Sequence, residues 1–101
     1  MLDTLILLVA FRHRVSASNQ DAALVRFEDI AGHVIDPEAF AADVRRLVSA
    51  GLIYDPARLP QNGLQCHWLC EVTPEGAIRV ATLVAAQGTG IDRLIERIAT
   101  Q

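Results

Sequence analysis

A chain of 101 residues, 51% of them hydrophobic, has the size and apolar content of one compact domain with a buried core. Its formal net charge of −3 and pI near 5.5 exclude a surface that attracts phosphates over its whole extent, so any nucleic-acid site must be local. All nine basic residues are Arg, which a genomic base bias explains at least as well as a need for bidentate contacts.

The apolar run from Leu5 to Phe11 is far shorter than the ~20 residues that span a bilayer. It follows Asp3 and precedes Arg12, His13 and Arg14, which suits neither a membrane nor an export segment, and the chain reads as cytoplasmic. From Leu2 to about His13, Leu2, Leu5, Ile6 and Val9 form a helical stripe that Leu8 and Phe11 widen beyond one face. So broad a girth needs cover on several sides, from its own domain or from a second subunit. Ser16 to Asp21 reads as a loop, and Leu24-Val25-Arg26 as a short strand. Phe27, Ile30, Ala31 and Val34 then mark a helix of about two turns.

Asp36 is suited to cap the next helix, with Pro37 as its first residue, where the missing N–H costs nothing. Phe40, Val44, Leu47 and Val48 form its core stripe, and Gly51 is placed to end it with Leu52 packing back. Its outer face is Glu38, Ala39, Ala42, Arg45, Arg46 and Ser49. Leu52 to Tyr54 reads as a strand, Asp55 to Gly63 as a loop, and Leu64, Cys66, Trp68, Cys70 and Val72 as the apolar face of a returning strand. On that strand Cys66 and Cys70 sit roughly 13 Å apart, too far for a disulfide or a shared zinc, and they read as core residues, as do Trp68 and Phe40. His67 projects from the opposite face, and His13 and His33 lack sequence-local ligand partners, so no metal site is expected. Thr73-Pro74 starts another helix with Ala77, Val80, Ala81 and Val84 inward, broken at Gln87-Gly88. A last helix from Thr89 carries Ile91, Leu94, Ile95 and Ile98, a stripe that reads as a dimerisation surface.

The order from Phe27 to Glu75 resembles the winged helix-turn-helix superfamily, particularly MarR-like and PadR-like bacterial regulators. The resemblance rests on Val44-Arg45-Arg46-Leu47-Val48-Ser49-Ala50-Gly51-Leu52-Ile53, similar to the end of a recognition helix, and on Val72-Thr73-Pro74-Glu75-Gly76, similar to the segment after a wing. These motifs cover about half the chain. They imply a mainly α fold with a small β-hairpin (α+β), a winged helix-turn-helix with additional N- and C-terminal helices. One domain over 1–101 would comprise an N-terminal helix (1–15), the helix-turn-helix (27–50), the wing hairpin (52–72), a helix (74–86) and a C-terminal helix (89–100). The resemblance also implies a DNA-binding transcriptional regulator whose 37–50 helix enters the major groove and whose 55–63 loop touches phosphate or the minor groove.

On that reading Arg45, Arg46 and Ser49 on the helix and Arg58 and Asn62 on the wing contact duplex DNA, and a homodimer engages two half-sites. The charges oppose it: between Phe27 and Val44 stand Glu28, Asp29, Asp36, Glu38 and Asp43 with no Lys or Arg. Arg45 and Arg46 equally suit a solvated helix end meeting the dipole. The alternative is a protein-interaction module on the same scaffold, with a protein partner on its acidic helix pair. No glycine loop, nucleophile elbow or local pairing of a nucleophile with His is present, so neither enzyme activity nor a cofactor is expected.

Overall fold

Six consecutive residues of the first helix, Leu5 to Ala10, are buried. A helix apolar on every side must be covered on every side, and α1 (Leu2–His13) accordingly touches all four other helices described here. The computed structural model describes residues 2–57 and 68–100. Within them the chain is mainly helical with a small two-stranded antiparallel sheet. No helix among the described residues is long and apolar enough to cross a membrane.

Cover for α1 comes from the same chain. The last helix, α5 (Ile91–Ala99), buries Leu94, Ile95 and Ala99, while Ile91 and Ile98 pack partly against the core. The stripe read from sequence as a dimerisation surface is thus occupied internally, because α1 offers more apolar surface than the central elements can cover. Arg12 Nε donates to Asp92 Oδ1 at 3.0 Å and closes this contact at its rim; being exposed, the pair contributes ~1 kcal/mol at most.

Arg14 ends α1 in the left-handed region (φ 49°), with its amide donating to Ala10 O at 3.0 Å. Its guanidinium pairs with Glu71 at 2.5 Å. The chain then enters β1 (Ser16–Ala17) and α2 (Gln20–Ala31). Two expectations are corrected here. The stretch from Ser16 to Asp21 divides into a strand, a cap and a helix start, and Leu24-Val25-Arg26 lies inside α2. The reason is local: Asn19 Oδ1 accepts the Ala22 amide at 2.8 Å and starts the helix two turns before Phe27. With that start Ala23, Leu24 and Phe27 face inward. Gly32 (φ 80°) ends α2 with its amide on Glu28 O, so Val34 falls in the turn and is 86% exposed rather than part of the inward stripe.

The next helix follows the sequence reading closely. Asp36 caps α3 (Pro37–Ser49) by accepting the Ala39 amide at 2.9 Å, and Phe40, Val44 and Leu47 are buried. Gly51 (φ 75°) terminates it, and the Leu52 amide returns to Leu47 O at 3.0 Å with Leu52 buried.

Beyond it, the backbone of residues 68–72 is held on both sides. β2 (Trp68–Leu69) pairs antiparallel with β1 in the register Ser16↔Leu69 and Ala17↔Trp68, and the Cys70 amide reaches Val15 O at 2.9 Å. On the other side Ile53 bridges Val72, the Tyr54 amide donates to Glu71 O, and the Leu69 amide donates to Pro56 O. Leu64, Cys66 and His67 lie outside the described residues. Trp68 closes an aromatic triangle with Phe27 and Phe40, with ring centroids 5.2 to 6.4 Å apart and the Phe27–Trp68 pair edge-to-face, so one aromatic cluster joins α2, α3 and β2. Cys70 is fully buried, as the core reading requires, and desolvation pushes its thiol up to about 12.

Helix α4 (Pro74–Gln87) is capped by Thr73, as expected. Among the described residues it buries Gly76 and Val80, with Leu83 and Val84 packed partly against the core, and Ala81, read from sequence as inward, is exposed because it stands about 100° around the helix from Val80, off that face.

Two outcomes test this architecture. Leu94→Ala removes cover from α1 and is expected to cost about 2–4 kcal/mol in chemical denaturation, whereas Phe11→Ala, at a half-exposed site on the same helix, costs much less. The folded-state pKa of Cys70 lies above its unfolded value, so its contribution is intact below about pH 9 and is lost as pH rises towards about 12. In a Cys66→Ser background, iodoacetamide should therefore label Cys70 slowly in the native protein at pH 8 and rapidly once it is unfolded.

Candidate nucleic-acid interface

The acidic stretch looks different once its hydrogen bonds are assigned. Glu28 Oε2 accepts the Ile35 amide at 2.8 Å and so closes the turn between α2 and α3. Asp36 caps α3, and Asp43 pairs with Arg46 three residues on. Three of the five acids thus have structural partners. Asp29 and Glu38 are exposed and take part in none of the ion pairs among the described residues.

The same accounting separates the two arginines. Arg46 is committed to Asp43, whereas Arg45 is exposed and belongs to no ion pair among the described residues. Glu38, Ala42, Arg45 and Ser49 recur at helical spacing along one outward line of α3, so its acid stands at the N-terminal end and its cation beyond the middle. Seven residues separate Glu38 from Arg45, about 10 Å of rise. That is about one Debye length at moderate salt, so an anion against Arg45 is substantially screened from Glu38. An anion at the N-terminus of α3 would meet that carboxylate directly.

Arg45 and Ser49 border a cleft of about 220 Å³ between α3 and the strand segments. Val44, Val48, Pro56 and Trp68 supply its apolar walls, and Gln20 and Asp55 complete the rim. The structure therefore brings two of the sequence-predicted contacts, Arg45 and Ser49, to one edge with the first residue of α2. Gln20 was missed; its proximity depends on the Asn19 cap that starts α2 at Gln20, which the apolar periodicity did not reveal. Arg58 and Asn62, the predicted wing contacts, lie outside the described residues.

The end of α3 is joined to the start of α4 by a compact hydrogen-bonded corner. Thr73 Oγ1 donates to Gly51 O at 2.6 Å and accepts the Gly76 amide at 3.0 Å, while the Thr73 amide donates to Leu52 O at 3.0 Å. Gly76 is required by close approach: a Cβ there would overlap the Leu52 carbonyl oxygen and crowd the Val72 side chain. One residue thereby anchors both helices.

A second cleft, of about 270 Å³, lies where α1, α2 and α5 meet and includes His13, Asp92 and Glu96. No group of three or more His, Cys, Asp or Glu placed to hold a metal ion occurs among the described residues. Comparison with protein-family models, with curated proteins and with solved structures finds no match to this chain.

The corner gives a direct test. Thr73→Val keeps the shape but removes both hydroxyl bonds, and is expected to cost about 2 kcal/mol in thermal or urea unfolding, with Thr73→Ser recovering most of the loss.

Proposed function

We propose that the chain is a winged helix-turn-helix protein that binds duplex DNA locally, as a transcriptional regulator, through α3. Support comes from the succession of α2, α3, the bridged segments around Ile53 and Val72, and α4, which is compatible with the order that the sequence resemblance implies. The observation that carries the proposal is Arg45: an exposed guanidinium, outside every ion pair among the described residues, beside Ser49 at the edge of the strand segments. A guanidinium there suits a phosphate or the O6/N7 edge of guanine, and a serine hydroxyl suits a phosphate oxygen. Arg46 contributes only after release from Asp43. With so few cations, one copy makes few phosphate contacts and its binding is weak.

A second reading, an interaction module for a basic protein partner, is favoured by the exposed and unpaired Asp29 and Glu38. The two make opposite demands on charge. If DNA approaches α3, Glu38→Gln should strengthen binding and Arg45→Ala should weaken it about tenfold, both read by fluorescence anisotropy with mixed-sequence duplex at low salt. A folded wild-type protein that shows no binding even at low salt would overturn the DNA reading and leave the basic partner.

A further inference from the structure

DNA binding through Arg45 and Ser49 leaves Glu38, at the other end of the same outward line, as an obstacle only. Its position gives it more to do. At about 100° per residue Glu38, Arg45 and Ser49 fall within about 40° of one another around α3, so a surface that meets Arg45 also meets Glu38. Between these two charges the line holds only Ala42, with exposed Ala39 beside it, and no long side chain keeps that stretch of helix away from what it approaches. Glu38 is itself exposed and outside every ion pair among the described residues, so its carboxylate is free to accept.

An ionised carboxylate accepts hydrogen bonds and donates none, and it repels phosphate. In the major groove the donors are the N4 amino group of cytosine and the N6 amino group of adenine. Adenine sets its amino group beside the N7 acceptor, while guanine and thymine offer acceptors alone. Cytosine is thus the base that suits Glu38, and the other three are disfavoured by the acceptors they present. Resting on the DNA reading above, we propose that Glu38 selects cytosine in the duplex that α3 binds, about three base pairs from a guanine held by Arg45. The spacing follows from the helix: seven residues rise about 10 Å, and successive base pairs lie about 3.4 Å apart.

The same charge then has two effects. In a mixed-sequence duplex most positions offer Glu38 no amino group, so it only repels; at a cytosine it gains a charge-assisted hydrogen bond. A glutamate that served only the dipole of α3 would change stability and not base preference. Selection by the wild-type chain from duplexes with a randomised centre, read by sequencing, should enrich a cytosine about three base pairs from a guanine. Glu38→Gln, at an exposed site, should leave the melting temperature nearly unchanged and replace that cytosine preference with adenine, the base a glutamine amide fits, while the guanine is kept. By fluorescence anisotropy at one salt concentration, this variant should bind mixed duplex more tightly than wild type and the selected duplex about tenfold more weakly. A wild-type chain that selects a sequence whose every base preference survives Glu38→Gln, or a variant that gains affinity equally on both duplexes, would overturn the role of Glu38 and leave DNA binding standing. A wild-type chain that binds no duplex even at low salt would remove both.

Discussion

Everything in this fold depends on covering α1. Five large aliphatic side chains in a row, Leu5 to Val9, leave water completely. At about 2 kcal/mol each, their transfer alone is on the order of 10 kcal/mol, as large as the net stability of a typical domain. No single neighbour can cover a helix on all sides. The chain therefore recruits α3, α4 and α5 as well as α2, and the C-terminal helix is part of the core rather than an appendage.

What the sequence disclosed about the fold follows the range of the interactions that specify it. The caps at Asp36-Pro37 and Thr73-Pro74 and the stop at Gly51 act over two to four residues, and all three stand where they were expected. The start of α2 escaped notice because its signal is the cap at Asn19, followed by the polar Gln20 and Asp21, rather than apolar spacing. Val34 kept helical spacing with Ile30 and Ala31, but Gly32 intervenes and its left-handed backbone overrides the period. For α5 the amphipathic stripe was legible while its partner was not, since periodicity says that a face is buried and never against what.

The candidate interface was legible to the same degree. Exposure of Arg45 and Ser49 follows from the phase of α3, which Phe40, Val44 and Leu47 set. The roles of the acids did not follow, because Glu28 reaches seven residues ahead to the Ile35 amide, a contact that exists only once the turn has formed. A count of charges treated the five acids as one repulsive surface. Their hydrogen bonds show that much of this charge is local scaffolding, set against backbone amides and one arginine. Of the five, Asp29 and Glu38 are the two outside every ion pair and side-chain hydrogen bond given above among the described residues, and Glu38 is offset from Arg45 along the helix.

The corner formed by Gly51, Thr73 and Gly76 has a mechanical consequence. Three hydrogen bonds and a backbone approach too close for any side chain leave little play between the end of α3 and the start of α4. The two helices behave as the arms of a bell-crank, in which a tilt of one is delivered to the other instead of being absorbed by the connecting strands. Any body seated on α4 would therefore hold α3 at a fixed angle and distance from itself. The angle between the two helices is thus a property of this corner, set by a threonine hydroxyl and the absence of one methyl group.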